Sequence, residues 1–221
     1  MSTNEPDIAS TAALVGNPSR AAILAALLDG RALPAGELAR AAGISPQTAS
    51  SHLERLLAGN LLRVEIQGKH RYYRLRGYAV ADLLELLSTI SLPKALPERN
   101  DALARGRTCY GHLAGRLGVY ITDAMRDKKL LGPDMKPTPE GTAWFSELGI
   151  EIGALKRTPL ARPCLDWSER RHHLAGALGV ALATRMFELR WLAKSREPRV
   201  VRLTQEGSRE MRSRLGLSFD S

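Results

Sequence analysis

Two cysteines in the second half of the 221-residue chain each precede a histidine. Cys109 comes three residues before His112, and Cys164 comes nine residues before His173, which has His172 beside it. Thiolate sulfur and imidazole nitrogen are ligands of Zn²⁺ and related ions, and two thiols can also form a redox-sensitive disulfide. A Cys-x-x-His spacing alone defines no geometry, so buried, inert thiols remain the simpler interpretation.

Aromatic and charged side chains in the same half suggest a second kind of binding chemistry. The run DWSERRHH, residues 166–173, could bind a carboxylate or phosphate, and a solvated charge run would look the same. Aromatic side chains could line a pocket for an organic ligand or simply form the core, and they are Trp144, Phe145, Trp167, Phe187 and Trp191. The candidate effector residues are Cys109, His112, Cys164, Trp167 and His173. These residues identify no definite cofactor, and we favour a small-molecule effector over a metal ion.

A polar helix face followed by a basic tip could bind DNA. In the helix predicted over 47–58, the apolar residues fall on one side, and polar side chains able to read base edges in the major groove fall on the other. Basic side chains at the tip suit phosphates or the flanking minor groove. The predicted DNA-binding residues are Ser45, Gln47, Thr48, Ser50, Ser51 and Arg55 in the helix region, and Lys69, His70 and Arg71 at the tip.

The elements around that face follow the order of a winged helix. The run IASTAALVGNPSRAAILAALLDG predicts two helices, with Asn17 capping the second, and PAGELARAAG predicts a third. Ser45 and Pro46 then open the polar helix, and LLRVEIQ and HRYYRLR flank Gly68 as a β-hairpin. The next helix, YAVADLLELLSTI, is apolar over more than one stripe, which favours dimerisation through Leu83, Leu84 and Leu87.

The remainder of the chain contains an internal duplication. Two prolines mark a linker at 93–98, which separates a domain of residues 1–92 from one of residues 99–221. HLAGRLGVYITDAM at 112–125 returns as HLAGALGVALATRM at 173–186, and TPEGTAWFSELGI returns as TQEGSREMRSRLGL. The repeat units cover about 109–153 and 164–218, and their apolar faces should bury one another. The predicted fold class is therefore mainly α with small β-hairpin wings (α+β).

Composition narrows the possible functions. The net charge of +9 favours an anionic partner, although residues 1–92 carry only +1 and residues 93–221 carry +8. The chain has no signal-peptide pattern and no apolar run that could span a membrane, so we expect a cytoplasmic protein. It also lacks the GxGxxG, P-loop, HExxH and GxSxG patterns, so we predict no enzymatic activity, with Cys-His catalysis as a minor alternative.

The segments NPSRAAIL, ELARAAGISPQTASSHLERLLAGNLL and GKHRYYRL resemble the ArsR family of bacterial winged-helix repressors. The resemblance covers residues 8–92 and implies a homodimer that recognises an inverted-repeat operator in double-stranded DNA and responds to a ligand. Two features depart from the family. The cysteines and histidines that ligate metals in the sensing members are absent from ELARAAG and YAVADLLELLSTI, and the duplicated C-terminal domain is additional.

Together these patterns predict a DNA-binding transcriptional repressor whose operator affinity is controlled by an effector in the C-terminal domain. Two alternatives remain. One is a regulator that senses metal or redox state through Cys109 and Cys164. The other is an architectural DNA-binding protein without a ligand, in which the +8 charge of the second half would contact phosphates.

Overall fold

A computed structural model of the protein describes residues 7–68, 70–91, 102–156 and 159–219. The chain divides into two compact units, Met1–Leu84 and Glu85–Ser221, so the division falls inside one helix. The predicted linker, residues 93–98, lies outside the described residues. None of the helices in the described ranges combines the length and the apolar character needed to cross a lipid bilayer.

The first unit contains the predicted helices and hairpin. Its elements, together with the helix that leads out of it, are α1 (Ile8–Val15), α2 (Pro18–Ala26), β1 (Leu33–Pro34), α3 (Ala35–Ala42), α4 (Pro46–Ala58), β2 (Leu62–Gln67), β3 (His70–Leu75) and α5 (Tyr78–Ile90). Both predicted helix caps are confirmed. The side chain of Asn17 accepts a hydrogen bond from the backbone N–H of Arg20, and Ser45 accepts one from that of Thr48.

Helix α4 and the hairpin are joined with almost no loop. The backbone N–H of Leu61 bonds the carbonyl of Leu56 at 2.9 Å, and β2 begins at the next residue. The three strands form an antiparallel sheet in the order β1-β3-β2, with Val64 paired to Tyr73. Because Leu62 and Leu56 are both buried, the wing is anchored at its base in the same core as the helix.

The second unit repeats one arrangement twice: a two-stranded hairpin followed directly by a helix. The first repeat contains α6 (Ala102–Arg105), β4 (Arg107–Cys109), β5 (His112–Ala114), α7 (Gly115–Asp127), α8 (Pro139–Glu147) and a 3-10 turn (Ile152–Ala154). The second contains β6 (Arg162–Leu165), β7 (His172–Ala175), α9 (Gly176–Glu188), β8 (Leu192–Lys194), β9 (Val201–Leu203) and α10 (Gln205–Leu215). The prediction of a helix-rich fold with small antiparallel hairpins is confirmed.

The two repeats share one core because their elements pack crosswise. Helix α7 of the first repeat contacts β7 of the second, α9 contacts β5, and the two strands contact each other. Leu113 and Leu174, the leucines of the two HLAG blocks, are both buried in this core. Neither repeat therefore completes its hydrophobic core alone, as expected for units that arose by duplication.

Glycines recur in the two repeats where another part of the backbone comes close. Gly115 and Gly176 begin the helices with φ of +72° and +85°, which side chains rarely adopt. At the start of α8, a Cβ on Gly141 would collide with the carbonyl oxygen of Leu130, and the equivalent Gly207 of α10 would meet that of Trp191. The recurrence of Gly in TPEG and TQEG thus follows from packing.

We expect Gly141→Ala and Gly207→Ala each to lower the free energy of unfolding by about 1–3 kcal/mol or more, because backbone must shift to admit the methyl group. Gly153→Ala is the matched control, since nothing lies within 4 Å of a Cβ built there. Urea unfolding followed by circular dichroism measures the difference. Midpoints equal to that of Gly153→Ala would contradict the packing argument.

Candidate functional site

The outward face of α4 carries an exposed polar stripe. Gln47, Ser51 and Arg55 are spaced four residues apart, so they lie along one side of the helix. All three are exposed, and their side chains make no hydrogen bond to other described residues. The opposite face, with Ala49 and Leu53, is buried. Unengaged donors and acceptors on a helix that is held rigidly from behind are suited to reading base edges.

Three of the other predicted DNA-binding hydroxyls already have partners within the helix. Ser45 Oγ lies 2.9 Å from Thr48 Oγ1 and accepts the Thr48 backbone N–H at 3.2 Å. Ser50 Oγ donates to the carbonyl of Pro46 at 3.1 Å. All three residues are exposed, but these bonds chiefly satisfy the first turn of α4.

The wing presents basic side chains at its tip and is braced at its base. His70 and Arg71 are exposed, and Lys69 lies outside the described residues. Arg74 donates to Glu65 Oε1 at 2.9 Å and to the carbonyl of Gly30 at 3.1 Å. These bonds therefore fix the wing relative to Gly30, which follows α2.

Comparisons with known proteins bear directly on this unit. A family model described as a helix-turn-helix domain matches residues 15–65. The chain is 46% identical over 214 residues to the HTH-type transcriptional regulator YdfF of Bacillus subtilis (strain 168), covering 91% of this chain and 94% of that protein.

This chain belongs to the HTH-type transcriptional regulators. The prediction of a DNA-binding transcriptional regulator is therefore confirmed. The resemblance of residues 8–92 to the ArsR family is also confirmed, because these residues include a winged helix-turn-helix.

Two solved structures are similar to the winged-helix part of the regulator. A homodimeric winged helix-turn-helix domain from Mycobacterium bovis, described as a possible ArsR-family regulator, is 28% identical, with a TM-score of 0.35. The match covers 40% of this chain and 88% of the Mycobacterium bovis chain. The repressor BigR from Xylella fastidiosa is 26% identical, with a TM-score of 0.37, and covers 40% of this chain and 89% of its own.

The second unit of the regulator brings both cysteines and two histidines into one buried cluster. Within each hairpin the cysteine pairs directly across from its histidine, Cys109 with His112 and Cys164 with His173. The potential ligand atoms of all four residues lie within 4.8 Å of one another. The two Nε2 atoms are 3.1 Å apart, and both histidines have no exposed surface. His172, one residue away on β7, is exposed.

Asp166 supports the cluster from behind His173. Its Oδ2 lies 3.4 Å from His173 Nδ1 and accepts hydrogen bonds from the Gly115 backbone N–H at 2.6 Å and from Arg107 Nη2 at 3.0 Å. Its Oδ1 accepts from the backbone N–H of Ser168 at 2.9 Å and from the Ser168 hydroxyl at 2.6 Å. The carboxylate thus lies beside Nδ1 of the His173 ring, while Nε2 faces the ring of His112.

The charges in this cluster are unequally distributed. A hydrogen bond from the Cys109 thiol, together with those from His112 and His173, lowers the pKa of Cys164 far below its usual value. That same bond and burial raise the pKa of Cys109, and burial lowers the pKa of His112. Burial alone would lower the pKa of His173, but its bonds to Asp166 and Cys164 outweigh it and raise the pKa to about 9. Burial and the close contacts within the cluster therefore shift the pKa values of all four side chains.

A buried ionic network continues outward from Asp166. Arg107 has no exposed surface, and its Nη2 also lies 3.6 Å from Glu85 Oε2 on α5. Arg199 Nη2 contacts Glu85 Oε1 at 3.1 Å. The sequence did not predict this ionic network. Its one signal was Asp-x-Ser at 166–168, a pattern typical of a turn closed by an aspartate side chain, which does not indicate Arg107 or Arg199 as partners.

The predicted aromatic pocket is not assembled among the described residues. Phe145 and Trp191 are buried in the core, and the ring of Trp167 lies under the Arg107 guanidinium, 4.7 Å away. A separate open groove of about 680 Å³ lies between α9 and the chain after α8, lined by residues such as Ile150, Leu155, Ala181 and Arg185. It contains none of the candidate effector residues.

Arg107→Met should lower the free energy of unfolding by about 3–5 kcal/mol, because it leaves the buried Asp166 carboxylate without its guanidinium partner. Arg126→Met on the exposed side of α7 is the control and should change stability by less than about 0.5 kcal/mol. Urea unfolding of both variants measures this. Equal stability of the two would show that the network contributes nothing.

Proposed function

We propose that this HTH-type regulator represses transcription as a homodimer and that an effector bound within residues 99–221 controls its operator affinity. The observation that carries the DNA-binding part is the exposed stripe of Gln47, Ser51 and Arg55, whose side chains have no hydrogen-bond partner among the described residues. The ArsR-like order of helices and wing supports the repressor assignment.

In this proposal, α4 enters the major groove and the wing contacts the backbone beside it. Gln47 can bond an adenine bidentately, and Arg55 can reach a guanine or a phosphate. His70 and Arg71, with Lys69, contact phosphates and contribute affinity without sequence preference. The short connection from α4 to β2 fixes the angle between these two contacts.

Exposed apolar side chains on α1 and α5 support the homodimer. Ile8 is 75% exposed, Leu86 is 53% exposed and Ile90 is 72% exposed. Of the leucines predicted for dimerisation, Leu84 is already buried within one chain, and Leu83 and Leu87 are half-buried. We therefore place the main partner-covered surface of α5 on Leu86 and Ile90, because burying them recovers the most apolar area.

A second candidate is a thiol-based redox regulator. Its support is the proximity of the two buried, free sulfurs, which lie within 4.8 Å of each other. Oxidation by one hydrogen peroxide would take two electrons and two protons from the two thiols, forming one S–S bond, while the O–O bond of the peroxide breaks to give two water molecules.

Replacing Gln47 or Ser51 by Ala should weaken binding to the operator that the full-length protein selects from random DNA by about 1–3 kcal/mol. It should also relax the preference at particular bases. Ser50→Ala is the matched control and should lose less, because its hydroxyl bonds the Pro46 carbonyl. Arg71→Ala should weaken all sequences alike and reduce the salt slope by about one. Fluorescence anisotropy on the selected duplex and its point variants measures each case. Normal operator binding by both the Gln47 and Ser51 variants would exclude α4 as the reading helix.

Leu86→Glu and Ile90→Glu should convert the dimer to a monomer at micromolar concentration, because each buries a charge in the proposed interface. Operator affinity should fall steeply, since a dimer reads two half-sites about 34–36 Å apart. Ile66→Glu is the control, because Ile66 is 69% exposed on the wing and lies outside the proposed interface. Sedimentation equilibrium decides. A wild-type monomer under these conditions would refute the proposal.

A further inference from the structure

We propose that the Cys/His cluster of Cys109, His112, Cys164 and His173 binds one divalent metal ion of the Zn²⁺ class, and that this ion is the effector of the regulator. The first part stands on the geometry of the cluster alone. The second part rests on the proposed function, in which residues 99–221 control operator affinity.

The spacing of the four ligand atoms fits a tetrahedral ion. Bond lengths of about 2.3 Å to sulfur and 2.0–2.1 Å to nitrogen place the ligand atoms of a tetrahedral site about 3.3–3.8 Å apart. In the regulator all four atoms lie within 4.8 Å of one another, and the two Nε2 atoms are 3.1 Å apart. A tetrahedral ion therefore requires the farthest ligand atoms to approach by at most about 1 Å and the two Nε2 atoms to separate slightly.

The donor set selects the class of ion. Two sulfurs with two imidazole nitrogens suit Zn²⁺ and similar borderline ions, and are unsuited to Mg²⁺ or Ca²⁺, which take oxygen ligands. The two thiolates neutralise the charge of a divalent ion, which favours binding in a place without water. All four residues are at most 5% exposed, and four protein ligands leave no open position. The site is therefore suited to holding an ion and not to catalysis.

The surroundings of His173 match those of a metal ligand. A ligating histidine usually directs its second ring nitrogen to a carboxylate, and Asp166 Oδ2 lies 3.4 Å from His173 Nδ1. A disulfide between Cys109 and Cys164 would explain neither this carboxylate nor the two Nε2 atoms that face each other. The metal interpretation accounts for all of these groups together.

The duplication explains why the site has two identical halves. Each hairpin supplies one cysteine and the histidine paired across from it, so the ion joins one repeat to the other. Ala114 and Ala175, two residues beyond the histidines, have no exposed surface and complete the wall around the two sulfurs. A metal bound here therefore links the two repeats at the centre of their shared core.

The buried ionic network connects the proposed metal site to α5. Fixing His173 on the ion fixes Asp166, which shares the Arg107 guanidinium with Glu85. Glu85 lies on α5, whose earlier turns, from Tyr78 to Leu84, belong to the unit that binds DNA. A rearrangement at the cluster can thus change the position of this helix without any direct contact between metal and DNA.

Titration of the full-length, reduced protein with Co²⁺ and then Zn²⁺ tests the site. We expect one Co²⁺ per chain, with the intense visible bands of tetrahedral cobalt and thiolate charge-transfer bands that Zn²⁺ abolishes. His173→Gln should weaken binding more than 100-fold, and Asp166→Asn should weaken it by about 10–100-fold. His172→Gln is the matched control and should bind as the wild type does, because its side chain is exposed. Weak octahedral bands without sulfur charge transfer in the wild type would overturn the site even if a variant failed to fold.

Operator binding by the same protein tests the effector role. With the duplex that the full chain selects from random DNA, one equivalent of Zn²⁺ should change the affinity by about 5–150-fold, and operator DNA should change Zn²⁺ affinity by the same factor. Glu85→Gln should still give the cobalt spectrum but lose most of this change. An operator affinity that Zn²⁺ leaves unaltered would overturn the effector role, while operator recognition through Gln47 and Ser51 would still stand. A response to peroxide in a protein that binds no metal would favour the redox alternative.

Discussion

The buried carboxylate of Asp166 connects the two repeats of this regulator's second unit. It receives hydrogen bonds from Gly115 and Arg107 of the first repeat, from its own loop, and lies against His173 of the second. A carboxylate without exposed surface is stable only when such partners surround it, so its position determines theirs. The start of α7, the orientation of the His173 ring and the burial of Arg107 all follow from this one group.

Around this carboxylate, duplication creates a site that neither repeat has alone. Each repeat brings a cysteine opposite a histidine on a short hairpin, and the crosswise packing of α7 and α9 places the two hairpins together. The symmetry is incomplete, because Asp166 has no counterpart in the two-residue turn at Tyr110 and Gly111. Only one of the two histidines therefore has a carboxylate behind it. This asymmetry connects the cluster to Arg107 and Glu85 on one side only.

Local features could be predicted from the sequence, and features that depend on distant packing could not. Asn17 and Ser45 cap helices through bonds that span three residues, so their roles are visible in the sequence. The related places of Cys109 and Cys164 in the repeats were visible in the sequence. Their pairing directly across from the histidines was not, because one hairpin turns in two residues and the other carries the 166–171 loop. The burial of Arg107 depends on partners 22 and 59 positions away in the chain. Counting aromatic residues likewise left a pocket and a core as alternatives, and Phe145 and Trp191 are core residues.

In the proposed function, the first unit reads DNA and the second unit controls its affinity. The polar stripe of α4 is positioned by the buried face of that helix and by the wing. The Cys/His cluster is positioned by the two repeats. Helix α5 runs from the first unit into the second, and its Glu85 joins the ionic network.

X-ray absorption at the zinc edge of the full-length protein, loaded with one equivalent of Zn²⁺, tests the central claim most directly. We expect two sulfur ligands at about 2.3 Å and two imidazole nitrogens at about 2.0–2.1 Å, with no oxygen bound to the zinc. A spectrum with only nitrogen and oxygen ligands, or with a single sulfur, would contradict the proposal that the paired hairpins form one closed metal site.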